Sequence, residues 1–276
     1  MNSPWNEGAP PKHLQIGLSG FIRAILRGVP LLLLVFGGLL LLLLLRLVER
    51  PFFGLRRPYT PYITQFVCRT AFVILGMGFS RKGAPMTGAG AVVANHSSWL
   101  DIFALNASKR IYFVSKAEVA AWPGIGWLAR ATGTVFIKRD RNKAREQIDV
   151  FKDRLAAGHK LLFFPEGTST DGQLVLAFKP TLFAAFFDTA LIDQMRVQPV
   201  TLKYEAPQGA DPRFYGWWGD MDFGPHLLAT LAAPRQGRVT VIYHSPVKLT
   251  DFSDRKHLAL VLETTVRSGL EHHSNQ

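Results

Sequence analysis

Residues 91–106, AVVANHSSWLDIFALN, contain a short apolar strand, a polar turn and the start of a helix. Ala91 to Ala94 has the small and β-branched composition of a buried strand, and Asn95 to Ser98 has the polar composition of a turn. Trp99 to Asn106 then shows the apolar spacing of a helix. A strand that leads through a short turn into a helix predicts an α/β domain.

The same alternation continues on the C-terminal side of this stretch. Further strands are predicted at Ile111–Val114, Thr134–Ile137, Lys160–Phe164, Val197–Lys203 and Val239–Tyr243. Helices are predicted between and after them at Trp122–Ala131, Lys143–Ala157, Thr181–Leu191 and Leu258–Leu270. Gly224 and Pro225 predict a loop around His226. The pattern indicates a largely parallel sheet flanked by helices on both faces, with ligands expected in the loops that follow the strands.

The N-terminal part of the chain contains an apolar run of a different kind. Val29 to Leu45 is an uncharged stretch of 17 residues, mostly Leu, which is interrupted by Pro30 and by the pair Gly37 and Gly38. As a helix it would be about 25 Å long, against a bilayer core of about 30 Å. It can therefore span a locally thinned bilayer, or enter and return at the glycine pair. We predict a membrane-anchoring helix over residues 29–48.

The anchor and the α/β pattern divide the chain into four parts. Residues 1–28 form an N-terminal tail before the anchor, and residues 49–80 form an amphipathic connecting region. That region includes a predicted helix from Tyr62 to Phe79, with apolar side chains at three- and four-residue spacing. The α/β domain occupies residues 81–276.

Composition restricts the classes of partner. The chain has 276 residues and a net charge of +12, which predicts an anionic partner. Its 48% hydrophobic residues argue against a disordered basic tail protein. The two properties together favour an anionic membrane surface as the partner. The leucine run and the lack of an RNA- or DNA-binding signature argue against a nucleic-acid partner. A single cysteine, Cys68, excludes an intrachain disulfide, and no Cys/His group has the spacing of a zinc site.

His96 and Asp101 are the strongest candidates for chemistry. They flank the turn after the first strand, so an Asp101 carboxylate can accept a hydrogen bond from one ring nitrogen of His96 and leave the other free to take a proton. This is a base with its orienting acid but without a protein nucleophile, so the nucleophile is expected to be a hydroxyl of the substrate. The alternative is that Asp101 caps the helix and His96 is an ordinary turn residue.

Two further polar clusters follow predicted strands. Phe163 to Ser169 reads FFPEGTS, in which Glu166 can accept a hydrogen bond from a polyol and Gly167 allows a close approach to the backbone. Gly133 to Arg141 reads GTVFIKRDR, whose guanidinium groups suit a phosphate or a carboxylate. The alternatives are a simple turn for the first cluster and a solvated strand end for the second.

Taken together and in this order, the three clusters resemble the glycerolipid acyltransferases of the PlsC type, over roughly residues 60–250. The resemblance implies catalytic roles for His96 and Asp101. It also implies substrate-binding roles for Arg139, Glu166, Gly167 and Thr168. In these roles, Arg139 would hold the phosphate of the acceptor. Val197 to Val200 resembles the family's fourth block, a strand that contains proline.

The chain departs from the family pattern in ways that concern the acceptor. Lys138 stands where the family often has Asp, and Phe178-Lys179-Pro180 replaces its usual Lys-Gly-Ala. Asp211 to Pro225 also resembles a bacterial subgroup that includes lyso-ornithine lipid acyltransferases. The resemblance therefore leaves two acceptors open, lysophosphatidic acid and lyso-ornithine lipid.

The resemblance also implies the setting of the reaction. A fatty acyl group would move from acyl carrier protein or coenzyme A to a lysolipid hydroxyl, without a metal or a cofactor. The enzyme would lie at a bacterial inner membrane, with its catalytic domain facing the cytoplasm. Two rivals remain: a lipid hydrolase, although no Gly-x-Ser-x-Gly elbow is present, and a membrane-tethered protein that binds or transfers lipids without catalysis.

Overall fold

A computed structural model describes residues 5–8, 11, 16–137, 144–189, 191–193 and 195–271. These residues contain seven α-helices: α1 Leu18–Phe53, α2 Thr60–Leu75, α3 Leu100–Ser108, α4 Ile125–Thr132, α5 Ala144–Ala156, α6 Phe223–Ala232 and α7 Arg255–Glu271. They also contain eight strands: β1 Gly78–Lys82, β2 Gly90–Ala94, β3 Tyr112–Lys116, β4 Val135–Ile137, β5 Lys160–Phe163, β6 Arg196–Glu205, β7 Arg238–Tyr243 and β8 Val247–Lys248. Short 3-10 helices occupy Ala117–Ala121, Pro180–Phe187 and Leu249–Asp251.

The strands form one sheet in the order β1-β7-β6-β2-β5-β3-β4, with β8 paired to β6. Strands β6, β2, β5, β3 and β4 run parallel to their neighbours within this series, as do β1 and β7. Strand β6 is antiparallel to both β7 and β8. The predicted fold class, a largely parallel sheet flanked by helices, is confirmed.

Alternating side chains of the strands supply two separate cores, one on each face of the sheet. On one face, Val92 and Val200 pack with apolar residues of α1, α2, α3 and α6. On the other face, Val93 and Val197 pack with residues of α5, α7 and the 3-10 helix Pro180–Phe187. Both faces of the sheet are thus buried, as the nearly continuous apolar strands predict.

Helix α1 is longer than the predicted anchor. It runs unbroken for 36 residues, about 54 Å, through Pro30, Gly37 and Gly38. Within the part of the chain that the structure describes, it has the length and composition of a membrane-crossing helix. Of the two alternatives left open by the sequence, the return at the glycine pair is wrong, because α1 continues through it and Gly38 packs against Val67 of α2.

Both ends of α1 are attached to the domain. Near its beginning, Arg23 donates to the carbonyl of Ala232, and Arg27 donates to those of Leu231 and Ala233, at the C-terminal end of α6. Cations are favourable at that end of a helix dipole. Near the other end of α1, the buried Glu49 carboxylate accepts hydrogen bonds from the backbone N–H groups of Tyr59 and Thr60 at the start of α2.

Three local predictions are wrong. The amphipathic helix ends at Leu75, because Gly76 adopts φ +72° and ends α2, so Phe79 lies in β1. The expected helix at Thr181–Leu191 is a 3-10 helix over Pro180–Phe187, whose three-residue turn puts Phe183 and Phe186 on one buried face. His226 lies in α6 rather than in a loop, since Pro225 falls in the first turn, where proline is tolerated.

Candidate active site

His96 and Asp101 meet across the turn between β2 and α3, as the sequence predicts. Nδ1 of His96 lies 2.7 Å from Oδ2 of Asp101. Because a carboxylate only accepts, Nδ1 carries the proton and donates, which leaves the lone pair of Nε2 available to accept a proton. The Asp101 side chain is fully buried, whereas that of His96 is 23% exposed, so a substrate can reach the ring but not the acid.

Three further donors hold the Asp101 carboxylate. The backbone N–H groups of Ser97 and Ser98 donate to Oδ2 at 2.7 and 3.0 Å. The hydroxyl of Tyr204, in β6, donates to Oδ1 at 2.7 Å. A buried carboxylate is costly unless it is hydrogen-bonded, and this one receives bonds on both oxygens. It also lies in the first turn of α3, where the helix dipole favours a negative charge.

The side chain of Asn95 fixes the turn on the sheet. Its amide donates to the carbonyl of Leu202 at 2.9 Å and accepts from the N–H of Leu202 at 2.8 Å. The backbone pairing of β2 with β6 ends at Ala94 and Val200, so the Asn95 side chain continues the ladder where the backbone leaves it. His96 therefore directly follows a fully buried residue, Asn95, which two hydrogen bonds hold to the sheet.

The ring of His96 is also held from the neighbouring strand. Phe164, directly after β5, stacks on it with ring centroids 4.1 Å apart and planes inclined by 11°. Strands β2 and β5 are parallel neighbours, so the residues that follow them meet at the same edge of the sheet. The stack limits the His96 ring to one plane without using either nitrogen.

Glu166 is buried beneath the same edge, with 1% of its surface exposed. Its Oε1 accepts from the backbone N–H of His96 at 2.7 Å, and its Oε2 accepts from that of Leu176 at 2.8 Å. Burial raises the pKa of Glu166 to about 8, although both backbone hydrogen bonds lower it. In this structure Glu166 holds the backbone of His96, and the contact with an acceptor hydroxyl stays a prediction.

Gly167 and Thr168 complete the turn after β5. Gly167 adopts φ +74°, and its N–H donates to the carbonyl of Phe164 at 3.1 Å. The Thr168 hydroxyl accepts from the backbone N–H of Trp5 at 3.4 Å, which brings the N-terminal segment against this turn. The next residues are tied to the base, because the N–H of Thr170 donates to the carbonyl of His96 at 2.9 Å.

The structure thus brings five of the six predicted site residues to the edge of the sheet where β2 and β5 end. Arg139, the sixth, lies outside the described residues, so its contact with the acceptor stays a prediction. The Asp211–Pro225 stretch joins the same edge, because the N–H of Trp217 donates to the carbonyl of Ser97 at 2.8 Å.

The sequence did not point to two of the side chains that hold the base, Tyr204 and Phe164. Tyr204 is 103 residues away from Asp101, and no motif links the two. Phe164 lies within the FFPEGTS cluster already identified from the sequence. Its position directly after a predicted strand, like that of the turn that carries His96, is the signal that could have found it.

Comparisons with known proteins identify relatives of this chain. Residues 81–203 match the family model described as Acyltransferase. The chain is 55% identical to the lyso-ornithine lipid O-acyltransferase of Rhodobacter capsulatus, over 96% of each chain. It is 35% identical to the 1-acyl-sn-glycerol-3-phosphate acyltransferase of Neisseria gonorrhoeae, over 70% of this chain and 74% of that protein.

A solved structure shares the fold. The crystal structure of the 1-acyl-sn-glycerophosphate acyltransferase PlsC from Thermotoga maritima superposes with a TM-score of 0.59 at 23% identity. The match covers 91% of this chain and 98% of that one. The two chains therefore share their fold over most of their length.

Proposed function

The chain belongs to the acyltransferase family, to its PlsC-type lysolipid enzymes, and we propose that it transfers a fatty acyl group to the free hydroxyl of lyso-ornithine lipid. The 55% identity to the Rhodobacter capsulatus enzyme, over nearly the whole of both chains, supports this acceptor. The departures at Lys138 and around Lys179 support it as well, because both lie in blocks that are associated with the acceptor.

The single observation that carries the mechanism is the hydrogen bond between Nδ1 of His96 and the buried Asp101, with Nε2 left to accept a proton. In our proposal, Nε2 removes the proton of the acceptor hydroxyl while its oxygen attacks the carbonyl carbon of an acyl thioester. The C–S bond breaks, the imidazolium returns the proton to the leaving thiolate, and an ester and a free thiol result.

Asp101 would stabilise the imidazolium that forms during this step. General base catalysis of this kind contributes roughly 10²–10⁴-fold. The thioester would be carried by acyl carrier protein or by coenzyme A, since the chemistry at the carbonyl is the same for both.

The remaining predicted residues would bind the acceptor. Arg139 would hold an anionic group of its head, and Thr168 and the backbone of Gly167 would contact the atoms near its hydroxyl. Glu166 would contribute through the backbone of His96, and through an acceptor hydroxyl if the turn opens. The enzyme would act on lipids at the cytoplasmic face of a bacterial inner membrane.

The test compares membranes that carry the wild-type chain or His96→Ala at matched expression, with His257→Ala as the control. His257 is exposed in α7, on the other face of the sheet. Each sample receives labelled acyl-coenzyme A or acyl carrier protein, with lyso-ornithine lipid or lysophosphatidic acid. We expect diacylated product with the wild type and His257→Ala, and a rate lower by roughly 10²–10⁴-fold with His96→Ala.

The outcomes separate the mechanism from the acceptor. Equal rates in His96→Ala and the wild type would overturn the mechanism. Acylation of lysophosphatidic acid alone would overturn the acceptor and leave the mechanism in place. That second candidate is favoured by the 35% identity to the Neisseria gonorrhoeae enzyme.

A further inference from the structure

Strand β6 extends beyond its pairing with β2 and carries a tyrosine to the catalytic turn. Its pairing with β2 ends at Val200, but the strand continues to Glu205. Val200, Leu202 and Tyr204 alternate along it, so their side chains share the face of the sheet on which α3 packs. The Asn95 amide binds both the carbonyl and the N–H group of Leu202. These two hydrogen bonds fix the position of Tyr204, two residues further along β6, relative to the turn that holds His96.

The Tyr204 hydroxyl donates the hydrogen bond that Oδ1 of Asp101 accepts. All the other hydrogen bonds to this carboxylate that the described residues supply, from His96, Ser97 and Ser98, end on Oδ2. Of the residues that the structure describes, Tyr204 alone donates a hydrogen bond to Oδ1, at 2.7 Å. Without it, one oxygen of a fully buried carboxylate would have no hydrogen-bond donor among these residues, a state that is costly inside a protein.

We propose that Tyr204 is a positioning residue for the acyl transfer, which fixes the plane of the Asp101 carboxylate and draws part of its negative charge towards Oδ1. This inference rests on the proposed function, in which His96 is the base and Asp101 its orienting acid. The hydroxyl of Tyr204 donates to Asp101 and not to His96, so in this proposal Tyr204 acts through Asp101.

The electrostatic consequence has a definite sign. A hydroxyl on Oδ1 shares the negative charge that Asp101 presents to the Nδ1–H group of His96. Removing the hydroxyl concentrates that charge on the side of His96 and favours the protonated ring. It also makes the buried carboxylate easier to protonate, since a donor to its charged form is lost. Both effects move the acid limb of the rate profile towards higher pH.

Neighbouring groups do not produce the same signal. Burial, and after it the charge of Asp101, raises the pKa of Tyr204 well above its ordinary value, so the hydroxyl stays protonated throughout the assay range. Glu166 interacts electrostatically with Asp101, and Tyr215 interacts electrostatically with Tyr204. Neither is altered when Tyr204 is replaced, so a shift of the limb reports on the bond to Asp101.

The experiment measures kcat, KM and the pH profile of kcat/KM for full-length Tyr204→Phe in mixed micelles. We expect a kcat lower by about 10- to 100-fold, a KM close to that of the wild type, and an acid limb raised by about half a pH unit to one unit. Tyr215→Phe is the matched control. Tyr215 is fully buried, and its hydroxyl donates to Gln236 and accepts from the N–H of Gly237 instead of binding Asp101, so the acid limb of this variant should stay at the wild-type position.

A second replacement keeps the size of the ring and the fold. A fluorinated tyrosine at position 204 has a more acidic hydroxyl, which is a stronger donor, and it should move the acid limb towards lower pH. A wild-type kcat and profile in Tyr204→Phe, or a limb that does not respond to the fluorinated residue, would overturn the proposal. His96→Ala is assayed in parallel: if it retains full activity, the proposed mechanism itself fails, whereas a loss there with no effect at Tyr204 removes only the present inference.

Discussion

Glu166 is an acid whose environment disfavours its charged form. It is almost fully buried, its pKa is raised to about 8 from an ordinary value of 4.5, and both of its oxygens bind backbone N–H groups. Between these two values the folded chain binds more protons at this position than the unfolded chain does. The contribution of Glu166 to stability is therefore present below pH 4.5 and is lost as the pH rises towards 8.

The direction of this change in stability with pH can be measured by thermal unfolding in detergent between pH 5 and 8.5. Relative to Glu166→Gln, whose side chain does not titrate, the melting temperature of the wild type should fall as the pH rises through this window. The difference between the two proteins isolates Glu166 from all other titrating groups. Two curves that stay parallel across the window would contradict the prediction.

At this scale, the sequence could predict the pairs that are close along the chain. His96 and Asp101 are five positions apart across one turn, so their contact follows from local geometry. Tyr204 could not be found in this way, because its contact with Asp101 depends on β6 lying beside β2 in the sheet. The position of Glu166 was predicted, but its hydrogen bonds with the backbone of His96 also depend on strand order.

Among the elements, the contact between α1 and α2 is sensitive to a single methyl group. A Cβ at Gly38 would lie 2.5 Å from Cγ2 of Val67, whereas a Cβ at Gly37 would have no heavy atom within 4 Å. Val67 is β-branched and has few alternative rotamers in a helix, so α1 and α2 would have to move apart.

Gly38→Ala and Gly37→Ala therefore form a matched pair within one helix. Gly38→Ala should destabilise the detergent-solubilised protein by about 1–3 kcal/mol, as overpacking does. Gly37→Ala should leave stability unchanged or raise it by up to about 1 kcal/mol, because alanine is the better helix former. Thermal unfolding of both variants provides the comparison, and equal effects would show that α1 does not pack on α2 at Gly38.

The elements that were predicted correctly are those with a strong local pattern, such as β2, β6 and α7. Strand β1 could not be distinguished from the end of α2, since Met77 and Phe79 continue the apolar spacing of the helix and only Gly76 separates them. Helix α6 was missed because Gly224 and Pro225 are typical of turns, and its buried Leu231 and Ala232 are explained only by packing against α1 and the sheet.

Across the whole molecule, exposed apolar side chains are concentrated on one side. Of the large exposed apolar residues in the described ranges, only Val150 and Leu260 lie on α5 or α7. The others lie on α1, α2 and the segment between them, or on α3, α4, α6 and Trp122. Apolar patches of this extent mark protein–protein or membrane contacts. Because α1 also has the length and composition of a membrane-crossing helix, we predict that the face of the sheet that α1 covers is the membrane side.

Two leucines of equal exposure test this assignment. Leu40 in α1 and Leu260 in α7 are both 60% exposed, but they lie on opposite faces of the molecule. Leu40→Arg should increase the fraction of protein released from membranes by high-salt washing, because a charge within the bilayer core is costly. Leu260→Arg should leave that fraction unchanged. Fractionation followed by immunoblotting measures both, and equal release would contradict the assignment.

The attachment of α1 at both ends has a consequence for how the enzyme meets its lipids. Arg27 joins its beginning to α6 and Glu49 joins its end to α2, so the helix is not a free tether. On a membrane, we expect a body held in this way to keep one orientation and to move in two dimensions, with the edge that carries His96 at a constant height. Each encounter with an acceptor is then a lateral collision. Turnover should follow the mole fraction of acceptor in the surface and not its amount per volume of solution.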